Sequence, residues 1–257
     1  MGGVLKQLVQ LAVTSFCLVG CGGSPSQPSQ AVPPPPSLQL TTTTFSITYT
    51  AADAGSVSAI ANSAEASVAR IREALGVSQG PRVRVTYYAT HAELAAAVRP
   101  FVGTIPSWAT GVVTAGDAIH LLSSAAAGPD QIAAAATTLI HEFAHCVTLQ
   151  LVPGSGNNPR WLWETIALYY ANQFRDPTTV GAFRSGGAPT LSTLNGLENT
   201  VLYEVGFLLG EFIIERGGSD ALRRLVQLRG DTMAALELSE AALVSEWRAW
   251  IRARHGV

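Results

Sequence analysis

The sequence predicts an α+β domain in which a mixed sheet with flanking helices comes first and a helical half follows. Two observations support this prediction. Apolar residues alternate at a period of two only in segments before residue 123. After residue 130, apolar residues recur every three or four positions in nearly every segment. Strands first and helices afterwards is the order typical of an α+β domain.

The first half contains four segments with the alternation of half-buried strands. These are residues 45–49, 82–88, 111–113 and 118–122, of which the last two form a predicted hairpin. Helical spacing between them predicts a helix over residues 54–75, which ends at Gly76, and a short one over residues 91–98, before Pro100. We therefore expect a sheet whose strands are separated by helices.

The second half begins with a helix predicted from Asp130 to about Leu151. It is apolar almost all round, so we expect it to lie buried at the centre of the domain. Residues 153–159 are rich in glycine, asparagine and proline and predict a turn. The later predicted helices cover residues 160 to about 174, 198–216, 220–228 and 240–253.

The first 20 residues have the pattern of a secretory signal, with Lys6 before a short apolar run. Leu18-Val19-Gly20-Cys21 resembles the lipobox of bacterial lipoproteins. The resemblance implies cleavage before Cys21, lipidation of that cysteine, and a lipid anchor in the membrane of a bacterial cell envelope, on its periplasmic or extracellular face. The alternative is an ordinary signal peptide or uncleaved anchor followed by a chance cysteine.

Residues 21–40 are rich in proline, serine and glutamine and predict a disordered tether, which leaves residues 41–257 for the folded domain. Cys17 leaves with the predicted signal and Cys21 becomes acylated, so Cys146 has no cysteine with which to form a disulfide. The net charge is −2, and −3 once Lys6 (+1) is removed. This balance provides no basic surface for nucleic acid, so we expect no nucleic-acid partner.

His141-Glu142-Phe143-Ala144-His145 has the pattern HExxH and lies in the predicted central helix. Positions i and i+4 of a helix are about 40° apart in projection, so both imidazoles face the same way and can bind one zinc ion. Glu142, roughly 100° round the helix, can reach a metal-bound water rather than the metal. The alternative is a pair of core histidines with a glutamate that pairs with a basic group.

Glu164 is a second carboxylate in an otherwise apolar helical segment. An unpaired buried carboxylate costs several kcal/mol, so Glu164 needs a cation. The turn at residues 153–159 lets its helix run back beside the first, towards His141 and His145. Two histidines and one carboxylate leave a fourth position for water, which is typical of a catalytic zinc site.

HExxH followed after eighteen residues by glutamate resembles the gluzincin metallopeptidases, and the segment Trp161-Leu162-Trp163-Glu164-Thr165-Ile166-Ala167 is similar to their Trp-Leu-x-Glu-x-x-Ala frame. The resemblance implies a thermolysin-like catalytic domain of the peptidase-MA-like kind. It also implies zinc ligands at His141, His145 and Glu164, with Glu142 as general base. Two features depart from the family pattern. Thr165 stands where the family usually has glycine, and residues 111–115 lack the acid with which aminopeptidases bind a free amine.

Tyr203-Glu204-Val205-Gly206-Phe207 resembles the Tyr-Glu-x-Gly-Phe segment of the same enzymes. In them the tyrosine hydrogen-bonds the oxyanion, so the resemblance implies that catalytic role for Tyr203. The alternative is a core tyrosine on an apolar helix.

These features together predict a zinc-dependent peptide-bond hydrolase, anchored at the cell envelope and acting on a peptide or protein substrate. A non-catalytic zinc-containing module for binding or assembly at the envelope is the alternative. Hydrolysis of a non-peptide amide or of cell-wall peptides would use the same residues. The pattern predicts neither the cleavage specificity nor the oligomeric state.

Overall fold

The computed structural model describes residues 37–127, 132–157, 159–196 and 200–257. The predicted signal, Cys21 and the predicted tether up to residue 36 lie outside the described residues. So do the first residues of the two helices predicted to start at 130 and 198.

A five-stranded mixed sheet forms one side of the domain, with the strand order β1-β2-β3-β5-β4. The three inner strands β2, β3 and β5 run parallel to one another, and the edge strands β1 and β4 are antiparallel to their neighbours. The strands are β1 Leu38–Thr41, β2 Phe45–Tyr49, β3 Val83–Tyr88, β4 Gly111–Ala115 and β5 Ala118–Leu122.

Helices flank this sheet and follow it along the chain, so the predicted mixed α+β architecture is confirmed. Two of them, α1 and α2, interrupt the strand sequence, and the others follow β5. They are α1 Val57–Ala74, α2 His91–Val102, α3 Ser124–Ala127, α4 Ile132–Leu151, α5 Arg160–Tyr170, α6 Gly181–Arg184, α7 Leu191–Leu194, α8 Val201–Gly217, α9 Ala221–Gln227, α10 Thr232–Leu236 and α11 Glu240–His255.

Three boundaries differ from the predictions. Strand β1 begins at Leu38, so residues 38–40, expected at the end of the tether, lie in the sheet. Helix α2 continues past Pro100 to Val102, so the proline lies in its last turn instead of ending it. Helix α5 ends at Tyr170 because Asn172 adopts a left-handed conformation, with a φ of 55°.

Helix α4 is the centre of the fold, as its apolar composition predicted. It packs against α1 and α5 and beside the edge strand β4. Among the described helices it is also the one that is long and apolar enough to span a membrane, but 56% of its most apolar stretch is buried inside the protein, as in the core helix of a soluble domain. The motif residues His141, Glu142 and His145 are therefore held in a rigid, buried element.

Glu65 on α1 forms hydrogen bonds with the turn between β1 and β2. Both carboxylate oxygens of Glu65 accept hydrogen bonds from Thr44, one from its backbone N–H at 2.6 Å and one from its hydroxyl at 2.8 Å. Burial alone would raise the pKa of Glu65, but hydrogen bonds from Thr42 and Thr44 outweigh it and lower that pKa. The turn between β1 and β2 is thus tied to α1 through an ionised carboxylate.

Candidate metal centre

Three side chains from α4 and α5 converge at one point in the interior. The Nε2 atoms of His141 and His145 lie 3.1 Å apart. Oε2 of Glu164 lies 3.3 Å from Nε2 of His141 and 3.8 Å from Nε2 of His145. All three residues are buried, and they form a group that can hold a metal ion. The cluster predicted from the sequence is therefore confirmed.

The spacing of these atoms fits a small tetrahedral ion. Zinc binds histidine nitrogen at about 2.0–2.1 Å and carboxylate oxygen at about 2.0–2.2 Å, so two ligand atoms of a tetrahedral site stand about 3.4 Å apart. The separations of 3.1, 3.3 and 3.8 Å bracket this value. Oε2 of Glu164 has no hydrogen bond of proper geometry to any described residue, so its lone pairs are open to a cation.

Burial is the largest influence on the ionisation of the site. It raises the pKa of Glu142 to about 7, although His141 opposes the rise; the negative charge of Glu164 adds to it. It lowers the pKa of His145 to about 3. Burial would also lower the pKa of His141 and raise that of Glu164, but their mutual attraction outweighs it, so the pKa of His141 is raised and that of Glu164 is lowered. The carboxylate of Glu164 therefore favours a positive charge beside it.

Glu142 lies on α4 next to the cluster, against the backbone of edge strand β4. A methyl group placed on Gly111 would stand 2.5 Å from Oε1 and 2.8 Å from Cγ of Glu142, closer than atoms can approach. Any side chain on Gly111, the first residue of β4, would therefore displace Glu142, and glycine avoids this clash. The carboxylate of Glu142 thus lies against the strand and within electrostatic reach of His141.

Gln173 and Trp163 contact the two histidine rings. The sequence analysis assigned neither residue a role at the site. Nδ1 of His141 lies 2.7 Å from Oε1 of Gln173, which follows α5. The ring of His145 stacks on Trp163, with centroids 4.0 Å apart and an interplanar angle of 4°. These contacts fix both rings in the orientation that directs Nε2 towards Glu164.

Tyr203, at the start of α8, lies beside the cluster. It interacts with Glu164 and Arg160, and burial is the main reason why its pKa is raised. The guanidinium of Arg160 lies 5.5 Å from the centre of the tyrosine ring, and the ring of Trp108 meets it edge-on with centroids 5.3 Å apart. Trp108 is exposed and comes from the segment before β4, so the two halves of the domain meet at Tyr203.

Thr165, which departs from the family pattern, lies near glycines on α8. Its Cγ2 lies 3.3 Å from the point where a side chain on Gly210 would begin, and its Cα lies 3.6 Å from the corresponding point on Gly206. The closest neighbours of the two glycines are other residues of α5, with Cδ1 of Leu168 at 2.5 Å from the point on Gly206 and Cβ of Tyr169 at 2.8 Å from the point on Gly210. The glycines thus allow α5 and α8 to pack closely, and Thr165 is one of the residues at this contact.

The structure brings together His141, Glu142, His145, Glu164 and Tyr203, all of which the sequence analysis singled out. His120 is not part of the site, because its ring nitrogens are engaged by Tyr88 at 2.8 Å and Thr114 at 3.0 Å on the sheet. Gln173 was missed. The one signal for it in the sequence is the preceding Asn172. Asparagine often ends a helix in the left-handed conformation, so it marks the point where the chain leaves α5.

A scan against models of protein families finds no match to this chain, and a search of curated proteins finds no relative. The function is therefore inferred from the chemistry and geometry of the side chains.

Proposed function

We propose that this protein is a zinc-dependent peptide-bond hydrolase of the gluzincin type, with a thermolysin-like catalytic domain. The observation that carries the proposal is the convergence of His141, His145 and Glu164 on one point, with the carboxylate of Glu142 on the same helix beside it. A structural metal site has no use for such a base, whereas a hydrolase does.

Zinc is the metal that this set of donor atoms favours. Imidazole nitrogens suit zinc, copper, iron and nickel, whereas magnesium and calcium prefer a shell of oxygen atoms. Two histidines and one carboxylate, with tetrahedral spacing, are the donor set of catalytic zinc and leave the fourth coordination position to water. When bound, zinc supplies a Lewis acid and lowers the pKa of a coordinated water to about 7.

Residues of the chain carry out proton transfer, stabilise the oxyanion and orient the histidines. Glu142 takes the proton of the attacking water and passes it to the leaving amine. Tyr203 keeps its phenolic proton because its pKa is raised, and it donates a hydrogen bond to the oxygen of the carbonyl under attack. Gln173 and Trp163 hold the histidine rings. This division of roles supports acyl transfer to water as the reaction class.

The edge strand β4 supports a peptide as the substrate. It pairs with β5 on one side only, so its other edge can pair with an extended peptide through main-chain hydrogen bonds. It carries no acid to bind a free amine, which favours cleavage within a chain over obligate removal of N-terminal residues. We further propose that lipidation at Cys21 holds the enzyme at the bacterial cell envelope.

The test is cleavage of a mixed peptide library and of denatured proteins by the purified, zinc-loaded protein, followed by mass spectrometry. We expect discrete cleavage sites that disappear with a chelator and return when zinc is added. Stoichiometric zinc without any cleavage would instead favour a non-catalytic module at the envelope. A protein that holds no zinc would rule out both.

A further inference from the structure

Exposed apolar side chains lie at one end of the sheet, where its parallel strands finish. Leu38 begins β1 and pairs with Tyr49, the last residue of β2, so it lies at this end. The carbonyl of Thr110 accepts a hydrogen bond at 2.8 Å from the backbone N–H of Leu122, the last residue of β5, so the segment before β4 lies there too. Trp108, two residues earlier, is 51% exposed, and Leu38 is 41% exposed.

Helix α4 begins at the same end. Ala134, in its first turn, lines one cavity together with Thr110 and Leu122. Ile132, the first residue of α4, is 38% exposed and adds a third apolar side chain. Strands β1 and β4 are four strand spacings of about 4.8 Å apart, so this surface is about 20 Å wide. We define it as the apolar end by its three exposed apolar residues, Leu38, Trp108 and Ile132.

The segment that carries Trp108 has no charge. Residues 100–116 contain no aspartate, glutamate, lysine, arginine or histidine. Two more large apolar side chains of this segment, Phe101 and Val102, are exposed. Exposed apolar side chains that lie together on a folded domain mark a surface for a partner or a membrane.

The opposite end of the sheet is polar. There Arg84, near the start of β3, forms an exposed ion pair at 3.3 Å with Asp117, in the turn between β4 and β5. Charged side chains stay in water because their desolvation is costly. The sheet therefore has one end that favours water and one end that favours an apolar surface.

A lipid bilayer is the apolar surface that the chain itself brings to this end. Residues 22–37 join the domain to Cys21, the proposed site of lipidation, and span at most about 58 Å when fully extended. The chain enters the sheet at Leu38, so the apolar end is the part of the domain nearest to the lipid along the chain. Tryptophan, as at position 108, is also a residue type that collects at the boundary between lipid headgroups and acyl chains.

We propose that the apolar end docks on a lipid bilayer, with the side chains of Trp108, Ile132 and Leu38 inserted among the headgroups. The ring of Trp108 also meets that of Tyr203 edge-on, with centroids 5.3 Å apart, so docking places the candidate metal centre close to the bilayer surface. The inference goes beyond the proposed function, because binding to lipid requires neither zinc nor peptide cleavage.

The test is flotation with phosphatidylcholine vesicles at millimolar lipid. It uses residues 21–257 with Cys21→Ser, which keeps every described residue and removes the site of acylation. We expect a bound fraction that Trp108→Ser and Ile132→Ser each lower at least about fivefold. Met233→Ser is the matched control, because Met233 is exposed on α10, which packs on α9 and α11, and this variant should bind like the wild type.

Salt and lipid charge test how the surface binds. Because residues 100–116 carry no charge, binding should not require anionic lipid and should persist in about 0.5 M NaCl. Binding that requires anionic lipid and disappears in salt would contradict the proposal, as would the absence of binding. Leu38→Ser takes the place of either serine variant that fails to fold.

Phospholipids brominated on their acyl chains show which tryptophan enters the bilayer, because bromine quenches the fluorescence of an inserted indole. They should quench the wild-type protein. Trp108→Phe keeps an apolar ring, so it should retain most of the binding and lose most of the quenching. Quenching that this variant leaves unchanged would mean that another surface inserts.

Two further outcomes separate this proposal from its rivals. A dimer that Trp108→Ser dissociates, in a protein that does not bind vesicles, would show that the apolar end pairs with a second copy of the chain and would overturn bilayer docking. Cleavage of peptides in solution without vesicle binding would also overturn docking and leave the proposed function intact. Vesicle binding that depends on Trp108, without any peptide cleavage, would support docking and remove the proposed function alone.

Discussion

Nδ1 of His141 lies 2.7 Å from Oε1 of Gln173. Because the amide oxygen can only accept, Nδ1 must carry the proton, which leaves the lone pair of Nε2 free to bind a metal. Gln173→Leu removes the acceptor and should lower zinc affinity about 10- to 100-fold, as measured by competition with a chromogenic chelator.

Gln173→Glu is the control for that change. Glutamate has the same length as glutamine, and its carboxylate still accepts a hydrogen bond from Nδ1 of His141. It should bind zinc at least as tightly as the wild-type protein. If Gln173→Leu held zinc as tightly as the wild type, the contact would have no part in orienting His141.

Gly111→Ala should lower kcat by about 10²-fold, because the new methyl group forces the Glu142 carboxylate out of position. Zinc affinity should stay unchanged, since the predicted clash is with Glu142 and with none of the three proposed ligands. Gly55→Ala is the matched control, because no atom lies within 4 Å of its added methyl group. A loss of zinc in Gly111→Ala would mean that β4 supports the ligands rather than the base.

Tyr203→Phe should lower kcat by about 10²- to 10³-fold with little change in KM, as expected for the loss of one donor to the oxyanion. The phenyl ring keeps the contacts with Trp108 and Arg160, but the hydrogen bonds of the hydroxyl with Arg160 and Glu164 are lost, so the Tm should fall slightly. The opposite result, weakened zinc binding at an unaltered kcat, would show that Tyr203 acts by holding Glu164 in place.

Glu65→Gln should lower the Tm at neutral pH, because it weakens the hydrogen bonds that fasten the turn between β1 and β2 to α1. The pKa of Glu65 is lowered in the folded protein, so the stabilisation is present above about pH 4.5 and is lost as the pH falls through the folded-state value. The Tm difference from wild type should therefore narrow in acid. Glu73→Gln, at an exposed position on the same helix, should show no such dependence.

The part of the site that depends on helical geometry was predictable. The spacing of His141 and His145 fixes their shared face, and the turn before α5 brings Glu164 back to them. A long apolar helix also predicted the central position of α4. Both inferences use contacts that are local in sequence or separated by one short turn.

Contacts between distant segments were not predictable in the same way. Gly111 meets Glu142 because β4 is the edge strand beside α4, and a strand order cannot be derived from alternation alone. Gly206 and Gly210 of α8 lie against Leu168 and Tyr169 of α5, and this contact depends on the register of two helices. The short helices α6, α7 and α10 contain too few turns to show a helical period.

The most direct test of the central claim is the rate of peptide cleavage by Glu142→Gln at a zinc content equal to that of the wild-type protein. Glutamine keeps the size of the side chain but cannot take a proton from water. The proposed mechanism predicts one zinc per chain in both proteins and a cleavage rate about 10²- to 10⁴-fold lower in the variant. A variant that cleaves peptides as fast as the wild-type protein would contradict it.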